Sequence, residues 1–303
     1  MQYILSILTN HQTPLPDDIA PQAAGILKAH GLSDDGHRWL SPNIAFEMAF
    51  EAAICPSFDQ AFSDLKADVN ILPAKNRRKK LLIADMDSTI ITSESLNDLA
   101  ELSGFGDEVA DITARSMAGE LDFSQSLIER MKIIAGSDAR LIDRIIKDAE
   151  LNEGAASLVA TMNHHGARTI LASGGFTFLT AVIAERLGFD EHYANIMVIK
   201  DGKITGELIP PILDQNAKAT RLAVTIDAMG ITADQVATIG DGANDRGMTE
   251  AAGLGVAYRG KDALKAVADA RLDHTDLRGL LWLQGYHDDE IIAGLFPNFA
   301  HDL

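Results

Sequence analysis

The chain has 303 residues, 47% of them hydrophobic, which is enough for two domains with cores that need no covalent staples. Acids outnumber bases 44 to 26, a formal charge of −18 that repels nucleic-acid phosphates and anionic membranes. Cys55 is the single cysteine, which excludes an internal disulfide and a cysteine-built metal cluster, and no run of about 18 apolar residues offers a membrane span.

The opening stretch MQYILSILTNHQTPLP lacks the basic start and small-residue cleavage site of a signal peptide, so a reducing cytoplasm is the expected compartment. QYILSILTN reads as a strand, and DDIAPQAAGILKAHG as a helix that stops near Gly31. In NIAFEMAFE, Ile44, Phe46, Met48 and Phe50 alternate with smaller or polar residues, which is strand periodicity. SFDQAFSDLKA then reads as a second helix and VNILP as a strand. With a weak strand over residues 37–40, the order over residues 1–75 becomes βαββαβ. That order resembles the ferredoxin-like ACT domains, which often bind amino acids. A structural, regulatory or dimerising role, the last in a homodimer, stays open beside it. NRRKK at 76–80 reads as a solvated linker into the second unit, residues 76–303.

That second unit starts with LLIADMDSTII, an apolar strand that ends in two carboxylates one position apart. Four helical segments follow over about 92–150, with Gly104, Gly119 and Gly136 where C-terminal stops belong. RTILAS (strand), FTFLTAVIAERLG (helix), a hairpin around Asp201-Gly202, NAKATRLAVTIDAMG (helix), QVATIGD (strand) and LGVAY (strand) complete the pattern. Alternating strands and helices predict an α/β fold, a Rossmann-like parallel sheet, with the four helices inserted as a cap after its first strand.

Ligands of parallel sheets collect at the carboxyl ends of strands. Three such ends carry distinctive residues: Asp85-Met86-Asp87-Ser88-Thr89, Ser173-Gly174-Gly175, and the loop GDGAND with Asp241, Asn244 and Asp245. Lys218 starts a helix between the second and third. Taken singly, each has an ordinary explanation as a buried acid, a helix cap, a turn or a surface lysine. Together they fit one reaction. Three carboxylates within ~4 Å repel by about 4 kcal/mol per pair at an effective dielectric near 20, which a divalent cation relieves. All-oxygen ligation with open positions suits Mg2+. The Ser173 hydroxyl, the Gly174 amide and a helix N-terminus behind them would cradle a phosphate, with Lys218 adding a point charge. No P-loop is present. Two acids on one strand end permit covalent catalysis, one as the phosphorylated nucleophile and one, arriving with a proton, as general acid and then base.

In order, D-x-D-x-T, a strand ending in Ser, a lysine and G-D-G-x-N-D resemble the haloacid-dehalogenase-like superfamily over roughly residues 80–290. The resemblance implies Asp85 as nucleophile and Asp87 as general acid/base. It places Mg2+ on Asp85, the backbone carbonyl of Asp87, and Asp241, with Asn244 and Asp245 in support. Within that superfamily DMDSTII-T-S-E resembles phosphoserine phosphatases, which implies hydrolysis of O-phospho-L-serine, the last step of serine biosynthesis. Glu94 would then meet the substrate ammonium. SMAGELDFSQSLIER matches a cap pattern in which Arg130 pairs with the substrate carboxylate and Met117 and Phe123 cover the site, with Gly119 in the same pattern. One departure is Arg246-Gly247 after GDGAND, where the family commonly has Leu-Pro. It loosens the helix start and sets a charge beside the loop.

Three other readings stand against this one. P-type ATPases share the aspartyl phosphate and the GDGxND loop, but they carry Thr in place of Asp87 and need membrane spans. A phosphotransferase, or a phosphatase for another small phosphate, would keep the chemistry and change the acceptor or substrate. A catalytically dead sensor conflicts with the intact Asp85, Asp87, Lys218 and Asp241 set.

Overall fold

Two sheets organise the chain, and the computed structural model describes residues 1–58, 60–117 and 120–294. The first sheet comes from β1 (Gln2–Leu8), α1 (Ile19–Ala29), β2 (Asp34–Ser41), β3 (Ala45–Glu51) and β4 (Asp68–Pro73). Its order is β2-β3-β1-β4 and every pairing is antiparallel, the split arrangement of a ferredoxin-like unit. The second predicted helix is absent among the described residues of 57–67. That segment is a series of turns, such as Ala61 N–H to Phe58 O at 2.9 Å and Leu65 N–H to Phe62 O at 3.0 Å. Phe58 and Phe62 still bury against the sheet from these turns.

Alternation along β3 splits its side chains between two cores. Phe46, Met48 and Phe50 pack with Ile19, Ala23 and Leu27 of α1. Leu8, Leu40, Ile44, Ala45 and Leu72 join the core of the second unit instead, so Ile44 leaves the alternating set expected for it. Both faces of this small sheet are therefore covered.

The run NRRKK is no solvated linker. Arg77 is largely covered, pairs with Glu47 of β3 at 2.7 Å and donates to the carbonyls of Trp282 and Leu283. Arg78 lies 4.2 Å from the Tyr286 ring centre, and Lys79 Nζ donates to the carbonyls of Asn76 and Asp234 at 2.8 Å each. Arg77 thus ties β3 of the first sheet to the second unit, and Arg78 and Lys79 pin the run to that unit.

The second sheet has seven strands in the order β11-β10-β9-β5-β6-β7-β8. They are β5 (Leu81–Ala84), β6 (Arg168–Phe176), β7 (Glu191–Lys200), β8 (Lys203–Ile209), β9 (Val236–Gly240), β10 (Leu254–Tyr258) and β11 (Ala270–Leu272). All neighbours are parallel except the β7–β8 hairpin, and the short β11 was not evident from sequence. Its helices are α2 (Ser95–Leu102), α3 (Gly106–Met117), α4 (Phe123–Ile133), α5 (Leu141–Asp148), α6 (Ala155–His164), α7 (Thr177–Leu187), α8 (Gln215–Met229), α9 (Arg246–Ala251), α10 (Asp262–Lys265) and α11 (Gly279–Leu283). Side-chain parity divides β5: Leu82 and Ala84 share a core with Val159 of α6 and Ile183 of α7, while Leu81 and Ile83 share one with Leu222 of α8 and Met248 of α9.

Helices α2 to α5 form one excursion between β5 and α6, and its two ends meet. Thr92 N–H donates to Glu150 O and Asn152 N–H to Ile90 O, both at 2.9 Å, around an Ile91–Leu151 bridge. Helix α4 starts on a capping box, with Asp122 Oδ1 accepting from Gln125 N at 2.8 Å and Gln125 Oε1 from Asp122 N at 3.1 Å. The loop after α4 rests on the β7–β8 hairpin through Gly136 N–H to Ile204 O (2.7 Å) and Ala139 N–H to Gly202 O (2.9 Å).

Asp68 joins the sheets by accepting the N–H groups of Asp273 (2.7 Å), His274 (3.0 Å) and Thr275 (2.9 Å). Burial outweighs these bonds and pushes its carboxyl from an ordinary 3.8 up to about 6. The folded chain thus holds the Asp68 proton more tightly than the unfolded chain does. Stability from this group is lost as pH rises from about 4 through about 6. The gain in urea midpoint on going from about pH 7 to about pH 5 is expected to be smaller in Asp68→Asn than in the parent. An equal gain in both would remove Asp68 as its source.

Candidate active site

Strand β5 is a topological switch point. From it the chain runs through β6 and β7 on one side, then returns to β9 on the other. Asp85 leaves its carboxyl end, Ser173 and Gly174 lie on β6, and Asp241 follows β9. Past Asp85 the chain makes one wide turn over Met86–Ile90, with Ser88 at φ 56°. Asn152 Nδ2 holds that turn by donating to the carbonyls of Thr89 (2.8 Å) and Ile91 (3.0 Å).

Parity points Asp85 to the α8 side of the sheet, where Lys218 waits. Asp214 caps α8 by accepting from Ala217 N at 2.9 Å, which fixes the first turn and Lys218 with it. Lys218 Nζ donates to Asp85 Oδ1 and Asp245 Oδ1, each at 2.6 Å, with all three side chains buried. Burial works against the Lys218 charge, but Asp245 and Asp85 outweigh it and raise its pKa, so the ammonium keeps its proton. Burial, then Asp245, pushes the Asp85 carboxyl well above the ordinary range, with Lys218 acting in the opposite sense.

Asp85, Asp241 and Asp245 bring carboxylate oxygens within 4.8 Å of one another. Lys218 takes one oxygen of Asp85 and one of Asp245, while Gly242 N–H binds the other Asp245 oxygen at 3.1 Å. The second Asp85 oxygen and Asp241 are left facing the cavity. Burial raises the Asp241 pKa, and its cation is the half-exposed Lys261, 3.5 Å away. Hard oxygen donors with surplus negative charge fit a divalent cation.

A cavity of about 110 Å³ opens above these acids, with Asp87, Glu94, Arg130 and Asn244 in its walls. Asp87 is held at both oxygens: Oδ1 accepts from Ser95 N–H and Oδ2 from Ser173 Oγ, each at 2.8 Å. Ser173 Oγ in turn accepts from Gly175 N–H at 2.8 Å. Glu94 Oε1 accepts from Ser88 Oγ at 2.8 Å, and burial, followed by the nearby Asp87, raises its pKa. Arg130 Nε donates to Ser126 O at 3.3 Å, and the guanidinium makes no ion pair among the described residues. Burial lowers its pKa, while Glu94 and Asp87 act to raise it. The Phe123 ring covers Gly174 so closely that a Cβ there would lie 2.7 Å from Phe123 Cζ.

A model for haloacid dehalogenase-like hydrolases matches residues 82–250, the stretch that carries the strand ends just described. The chain belongs to the haloacid dehalogenase-like hydrolase family. It is 39% identical over 205 residues to a phosphoserine phosphatase from Archaeoglobus fulgidus, a match covering 68% of this chain and 60% of that relative's length. A probable phosphoserine phosphatase from Vibrio cholerae superposes with a TM-score of 0.77 at 26% identity, covering 95% of this chain and 88% of that one. A phosphoserine phosphatase solved as a phospho-aspartyl intermediate analogue superposes with a TM-score of 0.64 at 35% identity, covering 68% and 98%.

Within this haloacid dehalogenase-like frame, the structure gathers Asp85, Asp87, Glu94, Phe123, Arg130, Gly174, Asp241 and Asn244 around one cavity. Ser173, Lys218 and Asp245 stand behind them within hydrogen-bond reach. The Met117 side chain and Gly119 lie outside the described residues. β6 stays extended to Phe176, α7 starts at Thr177, and the Ser173 hydroxyl donates to Asp87. One expectation changes. Arg246 pairs outward with Glu250 at 3.0 Å, so its charge leaves the loop, and α9 forms despite Gly247. Ser95, Asn152 and Lys261 were not foreseen. Adjacency to Glu94 was the one hint for Ser95.

Gly175 is the tightest point of the site. A Cβ there would lie 2.8 Å from Asp87 Oδ2, 3.0 Å from Ser95 Oγ and 3.1 Å from Ser173 Oγ. Gly175→Ala is expected to displace Asp87 and lower kcat by about a hundredfold, with a melting temperature within a few degrees of the parent. Parental kcat in that variant would show that Asp87 needs no such positioning.

Proposed function

We propose that this protein is a Mg2+-dependent phosphoserine phosphatase that converts O-phospho-L-serine to L-serine and phosphate, closing serine biosynthesis in the cytoplasm. The observation that carries the reading is one small cavity that sets a nucleophile–acid pair, Asp85 and Asp87, beside a cation, Arg130, that makes no ion pair among the described residues, and an acid, Glu94. A phosphorylated amino acid has the matching outline: a dianionic phosphate, an ammonium and a carboxylate. Among the described residues no helix is long and apolar enough to cross a membrane.

In this reading Asp85 attacks phosphorus and the ester P–O bond breaks, while Asp87 gives its proton to the departing serine oxygen. Lys218 holds Asp85 in line. Water then attacks the phosphoryl group and breaks its bond to Asp85, and Asp87 takes back one proton. Asp85, the carbonyl of Asp87 and Asp241 would hold Mg2+, with Asn244 and Asp245 in support. When bound, the ion supplies Lewis-acid stabilisation of charge on the phosphoryl oxygens. Glu94 receives the ammonium and Arg130 the carboxylate. Phe123, with Met117, covers them, and Gly174 and Ser173 complete the phosphate cradle. Residues 1–75, with both sheet faces covered, serve as a docked structural module.

Phosphate release measured across a panel of monoesters, with Mg2+ and after chelation, tests this reading. O-Phosphoserine is expected to be the preferred substrate and chelation to stop turnover. Transfer to added alcohols in place of phosphate release would point to a phosphotransferase. Asp85→Asn is expected to lower kcat by at least about a thousandfold. Arg130→Ala is expected to raise KM for O-phosphoserine by about tenfold or more while sparing O-phosphoethanolamine, which has no carboxylate. Unchanged discrimination between the two would refute the carboxylate assignment.

A further inference from the structure

Ser95 opens helix α2, and its backbone amide is already spent on Asp87 Oδ1. Its hydroxyl is another matter. Ser95 is 1% exposed, and its Oγ finds no hydrogen-bond partner among the described residues. Burying a hydroxyl unpaired costs stability, so a group in this position calls for an occupant to bond with. The residue lines the same cavity as Asp87, and Ser95 Oγ and Asp87 Oδ2 both lie within 3.0 Å of the place a Gly175 Cβ would take.

We infer that the Ser95 hydroxyl positions the water that hydrolyses the aspartyl phosphate. The inference rests on the phosphatase reading above. In-line displacement brings that water to the place the serine oxygen has just left, beside Asp87. One water hydrogen points at the Asp87 carboxylate. The other needs an acceptor, or the molecule rotates and its lone pair leaves the phosphorus. Asp87 Oδ1 and Oδ2 already accept from Ser95 N–H and Ser173 Oγ, and Glu94 Oε1 accepts from Ser88. Ser95 Oγ has its lone pairs free. The step balances without Ser95 changing protonation: the water oxygen bonds to phosphorus, the Asp85–phosphoryl bond breaks, one proton goes to Asp87 and the other leaves on the phosphate. Ser95 is thus specific to the second half of the cycle.

The test compares the parent enzyme with Ser95→Ala and Ser95→Thr, using O-phosphoserine, Mg2+ and an added alcohol acceptor such as glycerol. Alanine keeps the amide that holds Asp87 and removes only the hydroxyl. The expected result is a kcat and KM that fall together by about five- to tenfold, with kcat/KM unchanged. Label trapped on the enzyme by acid quench rises, and the ratio of transfer to glycerol over hydrolysis rises by a similar factor. Threonine restores the hydroxyl and returns both readouts towards the parent. A fall in kcat/KM with no rise in trapped label or transfer ratio would overturn the inference, as would an alanine variant identical to the parent. A parent enzyme that releases no phosphate from O-phosphoserine would overturn the phosphatase reading and this inference with it, so the two failures are told apart by the parent alone.

Discussion

One buried ammonium lets four carboxylates share the end of a single strand. Asp85, Asp87, Asp241 and Asp245 gather where β5 stops, and each close pair repels by about 4 kcal/mol at an effective dielectric near 20. Lys218 bridges two of them at 2.6 Å each, and that bridge decides which acids are spent and which stay open. Asp245 becomes a fixed support. Asp85 keeps one oxygen for chemistry, and Asp241 keeps its charge facing the cavity. The devices around the bridge hold Lys218 in place: Asp214 caps its helix, and Asn195 ties that helix's lead-in to β6, accepting from Leu213 N–H at 2.7 Å and donating to Gly174 O at 2.8 Å.

The walls of the cavity come from different parts of the chain. The strand ends supply the acids and the lysine. The inserted helices supply Phe123 and Arg130, and α4 that bears them is braced on the β7–β8 hairpin. Glu94 stands at the hinge between these two contributions, bonded to Ser88 of the strand-end turn and immediately followed by α2. The cavity wall on the inserted helices can therefore change without disturbing the charge balance around Lys218.

Features written in local chemistry were legible from sequence. The acid spacing in ADMDST, the turn chemistry of GDGAND and the periodicity of the inserted helices each belong to a few consecutive residues, and the structure brings their side chains together as expected. What could not be read depends on tertiary neighbours. In AFEMAFE, alternation sets Glu47 on the face opposite the phenylalanines, yet that face is covered, and the acid's burial turns NRRKK from a solvated run into a clamp. SFDQAFSDLKA has helical spacing, yet it buries Phe58 and Phe62 against the sheet from a series of turns. Asn152 is a lone amide in sequence. Its importance comes entirely from the two carbonyls that β5's turn presents to it.

The strand order carries a consequence for biosynthesis. β5 is made first among its sheet neighbours, yet it lies between β6 and β9, which are made much later. Lys218 reaches Asp85 across 133 residues of sequence, and Ser173 reaches Asp87 across 86. Contacts so distant along the chain close slowly. A ribosome that has released only the first third of this protein has already made Asp85 and Asp87, but none of the later strand ends that surround them. The cluster of acids closes only when β9 arrives with Asp241 behind it.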